Sequence, residues 1–197
     1  MATMVKRRDA QRQNIEVMVI AGGLAILAGL GFMVRDLIQI LPNRDVPVPV
    51  DLTHVPQELL LDGTATAEAT EAVILASGLA PFPYAIVVAA ALLPTLTLMV
   101  VAVCFALLGR LFWRGDFFGA RSLIAINTAA FTLMLGASVI PLLEAMAANS
   151  ALATVGVSFG QRMGVDVVMF VAGFALAVVA YAFHRGARLQ RDTEGLV

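Results

Sequence analysis

The residues of this chain best suited to chemistry are five charged side chains near the ends of long apolar runs. Arg35 and Asp36 lie towards the end of the first run, and Glu144 lies near the end of the third. Arg162 precedes the fourth run, and Asp166 lies at its start. A charge within a bilayer costs about 3 kcal/mol or more unless it pairs or reaches water, so such charges mark candidate sites. The five residues predict one outer polar cluster.

Two interpretations of this cluster follow from its spacing. At 1.5 Å per helical residue, Arg35 lies roughly 30 Å along the first helix and Glu144 roughly 32 Å along the third, so they reach a similar level. Arg162 and Asp166 have the i, i+4 spacing of a helical ion pair. The cluster is either a ligand, ion or proton site, or a set of ion pairs that ties helix ends together. The sequence favours the ion pairs.

Other chemistry has little support in the sequence. The single cysteine, Cys104, lies within an apolar run, and no cysteine, histidine or carboxylate set has the spacing of metal ligands. The serines lack the context of a nucleophile, and the glycine pairs lie inside apolar runs rather than in phosphate-binding loops. We therefore predict no catalytic residue, no cofactor, no metal site and no direct binding of nucleic acid.

The composition indicates an integral membrane protein. The chain is 60% hydrophobic and 14% charged, with a mean hydropathy of +0.89. A spanning helix needs about 20 apolar residues, and four runs are long enough. The predicted transmembrane helices are residues 15–41, 84–108, 123–147 and 165–183. A secretory signal peptide is the rival interpretation of the first run, but its apolar core would be only about 7 to 15 residues long.

The segments between these runs complete one membrane domain, residues 1–197, of the all-α class. They are an acidic extracytoplasmic segment at 42–83, a cytoplasmic hinge at 109–122, an outer loop at 148–164 and a cytoplasmic tail at 184–197. Valines alternate with Pro47 and Pro49, which predicts an edge strand because proline cannot donate to a central ladder. Residues 65–79 fit either a short helix or a second strand. The segment is either a small cap or a loosely ordered loop.

The basic residues predict the orientation. Of the 13 basic residues, all but Arg35, Arg44 and Arg162 lie in the N-terminal arm, the hinge or the C-terminal tail. Short cytoplasmic loops carry an excess of lysine and arginine, so these three segments are expected in the cytoplasm. Four spans also place both termini on one side. We predict a multi-pass protein of a bacterial inner membrane with both termini cytoplasmic.

The hinge is the part of the sequence that most resembles a motif. Its centre is Arg114, Gly115, Asp116, Phe117 and Phe118. Aromatic residues are favoured at the level of the lipid headgroups, and arginines there attract anionic lipid at about 1 kcal/mol each. One interpretation is an ordinary aromatic turn in which the glycine permits the reversal and the aspartate caps the next helix. The other is a site for a cytoplasmic partner.

The hinge resembles that of an uncharacterised family of small bacterial four-helix membrane proteins, known only as a domain of unknown function. The residues that match the family's turn are Arg114, Gly115, Asp116 and Phe118. Phe117, Gly119 and Ser122 depart from it, because they stand where the family has a proline, a hydroxyl residue and an asparagine. Genes of this family often lie beside small helix-turn-helix regulators, so the resemblance implies a role in regulation.

These observations predict a non-enzymatic membrane protein whose hinge binds a cytoplasmic partner, such as a transcription regulator. The alternative is an accessory subunit of a transporter or respiratory complex. A small-molecule carrier is disfavoured because no acidic residue lies in the middle of a span. Small residues recur at four-residue spacing and predict close helix packing, within the chain or in a homo-oligomer. They are Ala21, Ala25 and Gly29 in the first helix and Gly173 and Ala177 in the last.

Overall fold

The described residues form four long helices and two small antiparallel sheets. A computed structural model describes residues 2–52, 58–61, 65–68, 70–115, 119–156 and 160–194. The helices are α1 (Ala2–Ile40), α2 (Pro81–Trp113), α3 (Ala120–Thr154) and α4 (Val167–Glu194). The strands are β1 (Val46–Asp51), β2 (Glu58–Leu61), β3 (Ala65–Glu68) and β4 (Glu71–Ala76).

Each helix contains a segment long and apolar enough to cross a membrane. These segments are Val19–Ile40, Pro81–Trp113, Ala120–Thr154 and Val167–Gly186. The prediction of four helices long and apolar enough to span a membrane is therefore confirmed. The helices extend beyond the predicted runs, since α1 already begins at Ala2 and α4 continues to Glu194. Hydropathy identifies only the apolar part of a helix, whereas arginine, glutamine and glutamate continue it at little cost.

The segment between α1 and α2 contains strands rather than a helix. β1 pairs with β4 from Val46 opposite Ala76 to Asp51 opposite Glu71, and β2 pairs with β3. The predicted edge strand is thus confirmed, and β3 and β4 lie where a short helix or a second strand was predicted. The last predicted residues of this segment belong to α2, which begins at Pro81.

The prolines of β1 occupy positions where no donor is needed. Its buried residues are Val46, Val48 and Val50, and the residues between them are exposed. Leu52 donates its N–H to the carbonyl of Thr70, continuing the β4 side of the ladder. Backbone N–H groups alternate sides along a strand, so the odd-numbered residues direct theirs away from β4. Pro47 and Pro49 therefore remove no hydrogen bond from the sheet.

The chain divides into two compact units. We call one the strand unit, which comprises Met33–Leu93 and Val139–Val165. The other, the hinge unit, comprises Met1–Phe32, Pro94–Ser138 and Asp166–Val197. The division of α2 falls at Pro94, and that of α3 lies two residues before Pro141.

The strand unit has an apolar core between β1, β4 and three helices. The inner face of β1 packs with Ala76 and Leu79, and the helices add residues from the end of α1, the start of α2 and the end of α3. The helical members are Ile40, Ile86, Val87, Ala90, Ala147, Ala148, Ala151 and Leu152. The described part of the segment is therefore a packed cap, and the loose-loop interpretation is wrong for β1 and β4.

Glycines bring the helices of the hinge unit into close contact. A Cβ atom at Gly22 would lie 2.9 Å from the Cβ of Ala106, and one at Gly29 would lie 2.7 Å from Met99 Cγ. The seven-residue spacing on both helices fits antiparallel packing of α1 on α2. A Cβ atom at Gly173 would lie 2.9 Å from the carbonyl oxygen of Ala130 on α3. The packing role of Gly29 and Gly173 is thus confirmed.

The other small residues of α1 do not take part in this contact. Ala21 and Ala25 are exposed in the chain, and Gly22 takes the place that the four-residue spacing assigned to them.

Candidate functional sites

The turn between α2 and α3 is shorter than the predicted hinge. α2 continues to Trp113, and Gly115 follows with a φ of 78°, a conformation that costs glycine nothing. The N–H of Gly115 donates to the carbonyl of Phe112 and closes the helix end. Gly115 therefore reverses the chain as predicted. The remaining residues of the predicted motif, Asp116, Phe117 and Phe118, lie outside the described residues.

Three arginines from the two sides of this turn surround one pocket, which we call the hinge pocket. Arg110 and Arg114 come from α2 and the turn, and Arg121 comes from the first turn of α3. The pocket has a volume of about 860 Å³, and the rest of its lining is almost entirely apolar. The remaining lining residues are Leu96, Met99, Val100, Val103, Cys104, Leu107, Leu111, Ile124, Ala125 and Thr128. The geometry combines a long apolar surface with a cationic end.

The second half of α4 packs beside the end of α2 and the start of α3. The rings of Phe112 and Phe183 stack with their centroids 6.1 Å apart and an interplanar angle of 19°. They cover a small buried cluster of Leu108, Ala125, Ile126 and Ala180. This packing fixes the helix ends that carry the hinge, while Trp113 and Arg114 remain exposed.

Tyr181 and Arg185, four residues apart on α4, also contact each other. The Nε of Arg185 donates to the hydroxyl of Tyr181 at 3.1 Å, and the guanidinium carbon lies 5.7 Å from the centre of the same ring. The sequence placed Arg185 in the basic tail but gave no partner for it. The spacing of four residues on a helix is the signal that could have identified this contact.

A second pocket lies in the strand unit and contains part of the predicted outer polar cluster. This strand pocket has a volume of about 360 Å³, and Glu144 and Arg162 both line it. Asp51 of β1 and Glu71 of β4 add two further carboxylates. Arg35 and Asp36 are on α1 and are not among its described lining residues. Of the four predicted members in this unit, the structure brings two together.

Asp166, the fifth predicted member, has a different role. Its Oδ1 accepts the N–H of Met169 at 2.9 Å, so it is the N-cap of α4. Its own N–H donates to the carbonyl of Ala137 at 2.9 Å. Residues 160–166 are not helical. The helical i, i+4 geometry on which the ion pair with Arg162 was predicted is therefore absent, and that premise was wrong.

The side-chain amides of Gln161 and Asn149 form hydrogen bonds with backbone groups of the strand unit, and the sequence alone did not identify either residue. Gln161 Nε2 donates to the carbonyl of Asp51 at 2.8 Å, and Gln161 Oε1 accepts the N–H of Asp51 at 3.1 Å. This amide therefore serves the open edge of β1 as a strand would. The backbone N–H of Gln161 in turn donates to Asn149 Oδ1 at 2.6 Å. Contacts across 110 residues leave no local sequence signal.

Comparisons of this chain with protein-family models, with curated proteins and with solved structures found no match.

Proposed function

We propose that this chain is a non-enzymatic protein of a bacterial inner membrane that binds a cytoplasmic partner through the turn between α2 and α3. In this proposal the turn and both termini lie in the cytoplasm, and the strand unit faces the outside. The four membrane-crossing segments support the location. The concentration of arginines in the N-terminal arm, the hinge and the tail supports the orientation.

The observation that carries the proposal is that exposed residues of the turn directly follow a packed helix end. The stack of Phe112 on Phe183 holds the end of α2 against α4, and Gly115 follows α2 with a positive φ. Trp113, which is 54% exposed, and Arg114 project from this support. Tryptophan and arginine are enriched among the residues that dominate binding at protein interfaces, and a site on rigid elements needs little ordering when a partner binds.

The class of partner follows from the family that the hinge resembles. Members of that family are often encoded beside small helix-turn-helix regulators, so we propose a soluble transcription regulator as the partner. Its recruitment would depend on a signal received by the strand unit or by the membrane-embedded helices.

Affinity capture of the full chain in mild detergent tests this proposal. We expect a soluble helix-turn-helix regulator to be retained by the native chain, and its yield to fall at least tenfold in the double variant Trp113→Ala, Arg114→Gln, as expected for loss of hot-spot residues. The matched control is Phe131→Ala, which removes an exposed aromatic side chain from the middle of α3. Equal retention by the double variant and the native chain would show that the turn binds no partner.

An accessory subunit of a transporter or respiratory complex is the second candidate, and the exposed faces of the outer helices favour it. Only 11% of the apolar segment of α1 is buried, and the same share of α4, against 39% for α3. Exposed apolar helix faces contact either lipid or another membrane subunit. Stoichiometric co-purification with large membrane subunits, without a soluble regulator, would support this function and contradict the first.

A further inference from the structure

The hinge pocket has the shape and charge of a binding site for a single amphiphile. We propose that it binds one molecule of an anionic phospholipid, with an acyl chain along α2 and the headgroup phosphate among Arg110, Arg114 and Arg121. The inference depends on the placement of the helices in a membrane. Arg114 also belongs to the proposed partner surface, so the test of the pocket changes Arg110 and Arg121 instead.

The apolar part of the pocket matches the depth of one leaflet. Its lining on α2 runs from Leu96 to Leu107, with residues recurring every three or four positions along one helix face. At 1.5 Å per residue this face is about 17 Å long. The hydrocarbon core of a bilayer is about 30 Å thick, so one leaflet is about 15 Å deep. An acyl chain lying along this face would be covered from the middle of the bilayer to its surface.

The cationic end of the pocket lies where the headgroup of that lipid would be. Arg110 comes one turn after Leu107, and Arg114 and Arg121 flank the chain reversal beyond it. Guanidinium groups present several N–H donors to phosphate oxygens and can bind them in pairs. The described lining of the pocket contains no carboxylate. Three positive charges around one opening therefore complement an anionic headgroup rather than a zwitterionic one.

The apolar lining and the three arginines together restrict the chemical class of the ligand. A volume of about 860 Å³ falls in the range of about 300 to 1,000 Å³ that is usual for sites of small molecules. Inorganic phosphate would satisfy the arginines but leave the apolar face empty. A neutral lipid would cover the apolar face but leave the arginines without anions. Only an anionic amphiphile uses both.

The chain contains its own reporter for this site. Trp113 is the single tryptophan, is exposed, and directly precedes Arg114. The full chain would be reconstituted in phosphatidylcholine vesicles with a minor fraction of phosphatidylglycerol, and one of the two lipids would carry a nitroxide on the acyl carbons next to the headgroup. A nitroxide quenches tryptophan fluorescence at short range, and at this depth it lies at the level of Trp113. We expect labelled phosphatidylglycerol to quench Trp113 well beyond its share of the lipid, whereas quenching in proportion to composition would overturn the proposal.

Charge variants distinguish a specific site from general attraction to a basic surface. The double variant Arg110→Gln, Arg121→Gln should lower the preference for phosphatidylglycerol about fivefold per arginine removed. The matched control is Arg185→Gln, Arg188→Gln, which removes the same charge from exposed positions of α4 outside the pocket. An equal loss in the control would show that the attraction is diffuse and that the pocket is not the site.

A shape variant tests the acyl-chain part of the proposal. Val103 is 41% exposed and lines the pocket, so Val103→Phe should obstruct its apolar face and lower the preference while all three arginines remain. Val178→Phe adds the same ring to an exposed position of α4 and should retain the native preference. If Val103→Phe behaves like Val178→Phe, no chain occupies the pocket.

Inorganic phosphate identifies the source of the bound anion. Its effect on quenching would be compared with that of chloride at equal ionic strength. We expect the two salts to act equally, because free phosphate lacks the acyl chain that holds the lipid. Selective relief of quenching by phosphate would mean that the arginines bind the headgroup anion alone, and it would overturn the lipid site.

Discussion

Asn43 joins the end of α1 to the start of α2 through two hydrogen bonds to one residue. Its Oδ1 accepts the N–H of Leu79 at 3.1 Å, and its Nδ2 donates to the carbonyl of Leu79 at 3.0 Å. Leu79 is buried, so these backbone groups have little access to water. Asn43 also has a φ of 49°, a conformation that asparagine accepts more readily than most residues. The Asn43 side chain thus pairs with two buried backbone groups, and the same residue type tolerates the left-handed backbone conformation.

We predict that Asn43→Ala lowers the free energy of unfolding of the strand unit by about 2 kcal/mol, the sum of two hydrogen bonds at about 1 kcal/mol each. Asn43→Asp retains the acceptor and should lose about half as much. Asn43→Gly loses both hydrogen bonds but relieves the backbone strain, so it should remain less stable than the native chain. Thermal unfolding followed by circular dichroism in mild detergent measures this order. Identical melting of the alanine and aspartate variants would contradict it.

At the scale of elements, helix packing depends on a few glycines that local sequence does not distinguish from their neighbours. Gly22 and Gly23 are adjacent, yet only Gly22 faces α2 closely, and nothing lies within 4 Å of a Cβ atom at Gly23. The same contrast separates Gly29 from Gly31. The phase of α1 against α2 decides which glycine is needed, and that phase is set by the partner helix.

Gly173→Ala should be the most damaging of the glycine-to-alanine changes in these helices. Its Cβ atom would lie 2.9 Å from the carbonyl oxygen of Ala130 and 3.0 Å from the backbone nitrogen of Met134, so α3 and α4 must separate. We expect a loss of about 1 to 3 kcal/mol, the usual cost of overpacking. Gly29→Ala should cost less, because its nearest contact is the flexible side chain of Met99.

Cys104 provides the measurement. It is the single cysteine, is buried, and lies in the hinge unit with these glycines, so a fluorogenic maleimide reports the unfolding of that unit on heating. Gly31→Ala is the control, since open space surrounds that position, and it should melt at or above the native temperature. Equal melting of the Gly173 and Gly31 variants would show that the contact between α3 and α4 is not tight.

At the scale of the whole molecule, the number of membrane crossings determines on which side of the bilayer each connection lies. The sheets of the strand unit lie in the connection between the first and second of the four crossing segments. The α2–α3 turn is the connection between the second and third. If every segment crosses, consecutive connections lie on opposite sides of the bilayer. The arginine distribution predicts which of these sides is cytoplasmic.

Thiol labelling in spheroplasts tests this arrangement with two single-cysteine variants in a Cys104→Ala background. Val73→Cys lies on the exposed face of β4, and Arg188→Cys lies on α4 beyond its crossing segment. We expect an impermeant maleimide to label position 73 in intact spheroplasts and position 188 only after lysis. The reverse pattern would contradict the orientation, and labelling of both positions before lysis would contradict the alternation of sides.

Local patterns in the sequence determined the elements. Long apolar runs predicted the four crossing helices, valines alternating with prolines predicted β1, and Gly115 predicted the chain reversal, because hydropathy, side-chain period and backbone freedom are properties of short segments. The resemblance of the hinge to a bacterial family and the role of Asp116 and Phe118 stay predictions. For the polar cluster, the i, i+4 spacing of Arg162 and Asp166 gave a wrong prediction, because the residues before Asp166 are not helical.

Only the tertiary structure decided which distant residues meet. The pairing of β1 with β4, the two hydrogen bonds between Gln161 and Asp51, and the stack of Phe112 on Phe183 all join segments far apart in the chain. The gathering of the hinge arginines around an apolar pocket is of the same kind, because it requires the relative phase of two helices. Such contacts depend on packing between elements, for which the sequence of either element alone carries no signal.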